Sequence, residues 1–165
     1  MKKHKLGVCV PYRNREMHLN EFVPKVGKYL KNQGIDFQMY FCHQVDDKLF
    51  NRGATKNIAA KHAFEDGCDY VVWHDIDMIP EEGADYSYPE KAPRHIATRI
   101  SQMNYGLKYH EYFGGAVLFT KEQAEATNGY SNDYWDWGME DDDLFWRCHL
   151  EGLTDDSYLK TGLET

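Results

Sequence analysis

The sequence lacks any apolar run long enough to cross a bilayer. Its most apolar stretches, such as Val71-Val72-Trp73 and Ala116-Val117-Leu118-Phe119, stop far short of the ~20 residues a spanning helix needs. The basic start Met1-Lys2-Lys3-His4-Lys5 leads into only Leu6-Gly7-Val8-Cys9-Val10-Pro11, too little for the core of a secretory leader. Positive charge is also scarce: 19 Lys and Arg face 27 Asp and Glu, and a net charge of −8 argues against coating nucleic acid or an anionic membrane. Cysteines number only four, at 9, 42, 68 and 148, with no C-x-x-C pair. A zinc knuckle is therefore disfavoured and a disulfide framework is not required at this size, so they read as buried free thiols, with a disulfide pair left open by their even number. The eight histidines form no H-x-x-x-H pair, and neither an internal repeat nor a low-complexity tract is present. What remains, 165 residues of which 42% are hydrophobic, suits one domain that buries roughly 70% of its unfolded surface.

Hydrophobic periodicity predicts alternating strands and helices. A β-branched run over 6–12 is followed by helical spacing of Leu19, Phe22, Val23, Val26 and Leu30 over 17–32, with Pro24 marking a kink or a late start. A second strand is expected over 36–44, and a helix over 54–65 closed by Gly67. The continuous apolar run Tyr70-Val71-Val72-Trp73 predicts a strand buried on both faces, ending in His74-Asp75-Ile76-Asp77. An irregular excursion follows over 80–93, the α/β pattern resumes over 95–100, and a strand over 116–120 precedes helices near 121–127 and 141–151. This is an α/β layer architecture, in which ligands bind beyond the carboxyl ends of the strands. Asp75 and Asp77 fall in that position.

Residues two apart in an extended segment point the same way, so Asp75 and Asp77 can share a cation or a cation plus a ribose hydroxyl. A bare D-x-D more often is a solvated acidic loop, and its place after a buried strand is what sets this one apart. Three large aromatics in Tyr134-Trp135-Asp136-Trp137 lead into Glu140-Asp141-Asp142-Asp143. Aromatic faces offer a platform to sugar C–H groups, and carboxylates accept hydrogen bonds from hydroxyls. The same residues also read as core aromatics and a helix N-terminus favoured by negative charge, which does not exclude a site. Arg13, Arg15 and Arg52 sit at loop positions where guanidinium forks could form a local anion site, although each alone also reads as a surface ion pair. Gly114-Gly115 allows a turn or a close backbone approach to a ligand. No histidine is assigned a role, and Cys9 and Cys148, with no paired base, read as buried.

Taken together, Val10-Pro11-Tyr12-Arg13-Asn14-Arg15, Phe50-Asn51-Arg52-Gly53, His74-Asp75-Ile76-Asp77-Met78-Ile79-Pro80, Pro93-Arg94-His95-Ile96, Tyr112-Phe113-Gly114-Gly115 and Asn128 through Asp143 resemble, in order, the β-1,4-galactosyltransferase family. The resemblance covers residues 8 to about 147. It implies a single catalytic domain over 1–165 of the GT-A type, a Rossmann-like nucleotide-sugar-binding mixed sheet flanked by helices. The implied reaction is inverting transfer of galactose from UDP-galactose to a hydroxyl of a carbohydrate acceptor, with manganese (Mn2+) as cofactor. By matched position, Pro11, Arg13, Arg15, Phe50, Arg52, Asp75, Ile76, Asp77 and Trp137 are implied donor contacts. Asp77, with Asp75, is the implied metal site, Asp77 as the direct ligand, and Asp141 is the implied catalytic base, kept ionised by the helix dipole. Tyr109, Tyr112, Gly115, Glu140 and Asp142 are implied sugar and acceptor contacts, and Tyr at 112 favours galactose over N-acetylgalactosamine.

The sequence departs from the family where Asp136 and Met139 replace two glycines of Trp-Gly-Trp-Gly-Gly-Glu and where Gln102 replaces a phosphate-binding lysine. Members also continue further past the acidic motif and draw a histidine metal ligand from there. Here 22 residues follow Asp143, and His149 would lie about 12 Å along the helix axis from Asp141, leading away from the strand ends. Either another ligand or water completes the cation site, or the chain is a shortened member lacking the usual C-terminal segment. Two alternatives stand beside galactose transfer: another UDP-sugar on the same fold, or a non-catalytic glycan- or partner-binding domain on a degenerate scaffold. A start so close to the first strand suits a microbial cytoplasmic enzyme, or a trimmed form of a Golgi-lumen protein.

Overall fold

The computed structural model describes residues 3–109 and 111–154. Its chain order is β1 (Lys5–Tyr12), α1 (Glu16–Asn32), β2 (Asp36–His43), α2 (Arg52–Glu65), β3 (Tyr70–His74), β4 (Arg94–His95), a 3-10 turn (Ser101–Met103), β5 (Ala116–Thr120), α3 (Lys121–Ala126) and α4 (Glu140–Leu150). The sheet runs β2-β1-β3-β5-β4: β1 is parallel to β2 and β3, while β5 is antiparallel to β3 and β4. The sheet is therefore mixed, as expected.

Period-2 alternation divides the core between the two faces of the sheet. Leu6, Val8, Val10, Tyr70, Val72 and Leu118 pack with Phe22, Val26 and Leu30 of α1. Cys9, Val71, Trp73, Val117 and Phe119 pack with Ala59, Ala60 and Ala63 of α2 and Leu144, Phe145 and Cys148 of α4. Helices cover both faces, so β3 and β5 are buried throughout, which is why their sequences are continuous apolar runs. Gly7 is where α2 meets the sheet most closely: a Cβ there would lie 2.6 Å from the Cβ of Ala63.

Several boundaries differ from expectation. α1 begins at Glu16 and continues through Pro24, whose missing donor and lost turn fall on the exposed side, and Val23 is also outside the core. α2 starts at Arg52 rather than 54, because Asn51 caps it by accepting the Ala54 N–H at 2.8 Å. The segment over 95–100 supplies only the two-residue β4 before the 3-10 turn. α4 starts at Glu140, one residue early. All four cysteines are free thiols, but Cys42 is only partly buried, at the edge strand β2. Among the described residues no helix is long and apolar enough to cross a membrane.

Candidate active site

The carboxyl ends of β1 and β3, the N-termini of α2 and α4, and the backbone before β5 meet in one place. β3 ends at His74, and the chain then turns, Met78 N–H donating to the Asp75 carbonyl at 3.2 Å. Across this turn Asp75 and Asp77 differ in exposure. Asp75 is drawn inward. Its Oδ2 accepts from Arg52 Nη2 at 2.9 Å and its Oδ1 lies 3.2 Å from Lys56 Nζ. Asp77 is exposed and makes no hydrogen bond or ion pair with another described residue.

The acidic motif divides in the same manner. Asp141 Oδ2 lies 3.7 Å from Arg52, and its Oδ1 accepts from Tyr130 OH at 3.2 Å and lies 3.8 Å from Lys56. Glu140, expected at the sugar, is instead buried with Oε1 at 3.3 Å from Arg52 Nη1, since the first residue of α4 turns inward. Asp142 faces the other way and accepts from Tyr109 OH at 2.6 Å, while Asp143 is held by Arg147 at 2.7 Å. Three carboxylates thus surround two cations in a region of low solvent exposure, where an unpaired charge would be costly.

Electrostatics follow from this packing. Burial pushes the Asp75 carboxyl upward, but Lys56 and Arg52 overcome it and leave its pKa below the usual carboxylate value. At Asp141 burial prevails: the pKa is raised, with the repulsion of Asp75 adding to it and the attraction of Lys56 and Arg52 opposing. Desolvation thus works against the ionisation expected of Asp141, and Lys56 and Arg52 offset it only in part. Burial lowers His95 to about 4, so the ring is neutral and its Nε2–H donates to the Gly114 carbonyl at 2.6 Å. Gly114 must be glycine, because a Cβ there would lie 2.5 Å from Asp141 Oδ2.

The remaining predicted residues are scattered around this cluster. Arg13 donates to the Lys48 carbonyl at 2.8 Å and lies 5.4 Å from the Phe50 ring centroid, which joins the end of β1 to the loop before α2. Arg15 is exposed and lines a separate cleft of about 680 Å³ with Tyr12, His18 and His43, so the three arginines do not share one place. Pro11 is buried within β1, and Ile76, expected at the donor, is a core residue beside Val10 and Phe22. Gly115 acts through its backbone: at φ +79° its carbonyl accepts the Asp75 N–H at 2.7 Å. Tyr112 is buried against His95 and Gly114, whereas Trp137 is 75% exposed with Lys108 Nζ 4.8 Å from its ring centroid. Asp136 and Met139 both adopt left-handed backbone, φ 72° and 71°, a conformation that glycine takes without strain.

Two further residues complete the cluster: Lys56, which no sequence motif includes, and Tyr130, which lies inside the matching block 128–143 but has no role assigned by it. A lysine inside a helix reads as surface, but Lys56 follows Arg52 by one helical turn, and that i,i+4 spacing was the signal available. Among the described residues no group of three His, Cys, Asp or Glu side chains converges as a metal centre. Asp75 is already paired with Arg52 and Lys56, whereas Asp77 has no such partner among the described residues.

Residues 1–88 match the family described as the N-terminal region of glycosyl transferase group 7, and residues 94–162 match the N-terminal domain of galactosyltransferase. Human β-1,4-galactosyltransferase 4 is 36% identical over 150 residues, 90% of this chain and 44% of that protein. Rat β-1,4-galactosyltransferase 6 is 38% identical over 149 residues, covering 90% and 39%. The chain thus spans less than half the length of these relatives. The catalytic domain of Drosophila β1,4-galactosyltransferase 7, solved with xylobiose, superimposes with a TM-score of 0.84 at 37% identity, covering 92% of this chain and 63% of that one. A mutant of the same domain, equally similar, was solved with manganese, UDP-Gal and xylobiose. The fold is accordingly that of a glycosyltransferase catalytic domain. The chain belongs to the β-1,4-galactosyltransferase family.

Proposed function

We propose that this chain forms the donor- and base-bearing part of an inverting galactosyltransferase that moves galactose from UDP-galactose to a hydroxyl of a carbohydrate acceptor. The observation that carries this reading is Asp141, held beside Asp75 at the strand ends by the buried Lys56 and the largely covered Arg52, in a family member. Asp141 is the proposed general base. Its Oδ1 is committed to Tyr130, so Oδ2 takes the proton as the acceptor oxygen attacks the anomeric carbon. The bond from that carbon to the phosphate oxygen breaks, its electron pair leaves with the diphosphate, and one displacement inverts the centre. A raised pKa makes Asp141 the stronger proton acceptor, while Arg52 and Lys56 favour its ionised form.

The donor would lie near Pro11, Phe50, Arg13 and Arg52, while Arg15, in a separate cleft, would reach it only from that side. Asp77 fits a cation ligand because its exposed carboxylate has no other partner among the described residues; it would hold the manganese ion, whose positive charge would stabilise a diphosphate leaving group. Trp137, Tyr109 and Asp142 are the proposed sugar and acceptor contacts, an exposed aromatic face beside a hydroxyl–carboxylate pair. Tyr112, fixed against Gly114, is the proposed wall that selects galactose. Tyr112→Leu is expected to admit UDP-N-acetylgalactosamine, and an unchanged donor preference would remove that role. Membership of this family fits the Golgi-lumen alternative, and nothing supports the cytoplasmic microbial one.

The experiment is calorimetric titration of UDP with manganese and with a chelator, followed by a transfer assay with UDP-galactose and a panel of sugar acceptors. Metal-dependent binding followed by transfer is the expected result. Glycan binding with no response to UDP in either condition would favour the non-catalytic scaffold instead.

A further inference from the structure

Lys56 is the most deeply buried charge in the described part of the molecule. Its side chain has 0% exposure, and its ammonium lies 3.2 Å from Asp75 Oδ1, 3.8 Å from Asp141 Oδ1 and 3.4 Å from Tyr130 OH. Those three oxygens match the three protons of an ammonium group. The Tyr130 ring centroid lies 4.7 Å away, adding the face of an aromatic quadrupole. The backbone beneath is fixed too, since the Trp73 indole N–H donates to the Lys56 carbonyl at 3.1 Å, tying α2 to β3. Arg52 alone would leave one positive charge against Asp75, Glu140 and Asp141, and Lys56 reduces that excess to a single negative charge. Asp75 Oδ1 has no well-formed hydrogen bond, so the ammonium holds it by charge at the point where a cation would otherwise be drawn in.

We propose that Lys56 is a positioning residue whose ammonium takes the place of a cation between Asp75 and Asp141, holding the proposed base in position without metal and leaving Asp77 alone to recruit the divalent ion. For Asp141 the inference rests on the galactosyltransferase reading; for the assembly of the cluster it does not. A fixed internal charge is always present at full occupancy, whereas a bound ion is present only as its concentration allows.

The test uses the full chain with Lys56→Met, which keeps much of the side-chain volume and removes the charge. Thermal unfolding is followed with a chelator and with millimolar manganese. Without metal the variant is expected to melt below the wild type. With manganese it is expected to regain more than the wild type gains, by about 3 °C or more, because the vacated position lies between two carboxylates. Lys56→Met with Asp75→Asn restores the cluster's net charge and is expected to lose that extra response. A Lys56→Met protein with the wild-type manganese response overturns the proposal. So does failure of the double variant to fold, which would show that restoring the cluster's net charge does not replace the lysine. Where the wild type transfers galactose, Lys56→Met is also expected to lose at least ~10-fold in kcat with less than ~3-fold change in KM for the donor, as expected for a displaced base. An unchanged kcat overturns the positioning role. Absence of wild-type transfer would defeat the enzymatic reading while the manganese response still decides the role of Lys56.

Discussion

The two acidic motifs, one after β3 and one opening α4, are each divided between carboxylates that face the cations of α2 and carboxylates that do not. Asp75, Glu140 and Asp141 face inward toward Arg52 and Lys56, while Asp77 makes no ion pair with another described residue and Asp142 accepts from a tyrosine hydroxyl. The comparison teaches that neighbouring carboxylates need not share a task. The inner ones are organised before any ligand arrives, which spares reorganisation during reaction, and the outer ones remain available to ligand. The aromatics divide likewise: Tyr112 and Tyr130 are buried beside the inner group, and Trp135 and Trp137 stand exposed, each with a lysine over its ring.

The largest expected effect falls on the inner half. Asp141→Asn should cost at least ~100-fold in kcat, the lower range for loss of a general base, with donor KM nearly unchanged. A near-wild-type kcat in steady-state assays would remove Asp141 from that role. Next comes Arg52→Met, which strands three buried carboxylates around the single charge of Lys56 and should destabilise the fold by about 3–5 kcal/mol. Denaturant unfolding measures this, and a loss under ~1 kcal/mol would mean that solvent already screens the cluster.

The outer half should behave oppositely. Asp77→Asn is expected to leave metal-free stability within ~0.5 kcal/mol, as for an unpaired surface residue, yet to abolish the stabilisation that manganese confers on the wild type. Persistence of the full manganese response would place the cation elsewhere. The smallest effect concerns the loop between the halves. Met139→Gly relieves a left-handed backbone at the N-cap of α4 and should stabilise by about 1 kcal/mol, whereas a loss of stability would show that the Met139 side chain contributes packing.

Much of the fold was legible because its signals are local. The continuous run Tyr70–Trp73, the strand at 116–120 and the periodicity of Phe22, Val26 and Leu30 each report on burial within a few residues, and the family resemblance carried the mixed sheet. Pro24 misled, because an exposed proline inside a long helix loses only a bond that water can replace. Within the site, the sequence pointed to Asp75, Asp77, Arg52 and Asp141 by motif and by resemblance, but not to how they pair.

The sequence by itself determined the alternating layers, the excess of negative charge, and the placement of two acidic motifs at the ends of a strand and the start of a helix. Only the tertiary structure decided which carboxylate of each motif is buried, that Lys56 and Tyr130 join them, and that Glu140 and Ile76 turn inward. The reason is distance along the chain. Lys56, Asp75, Tyr130 and Asp141 lie on α2, the end of β3, a loop and α4, and the charges that neutralise one another come together only when those elements pack on the same sheet.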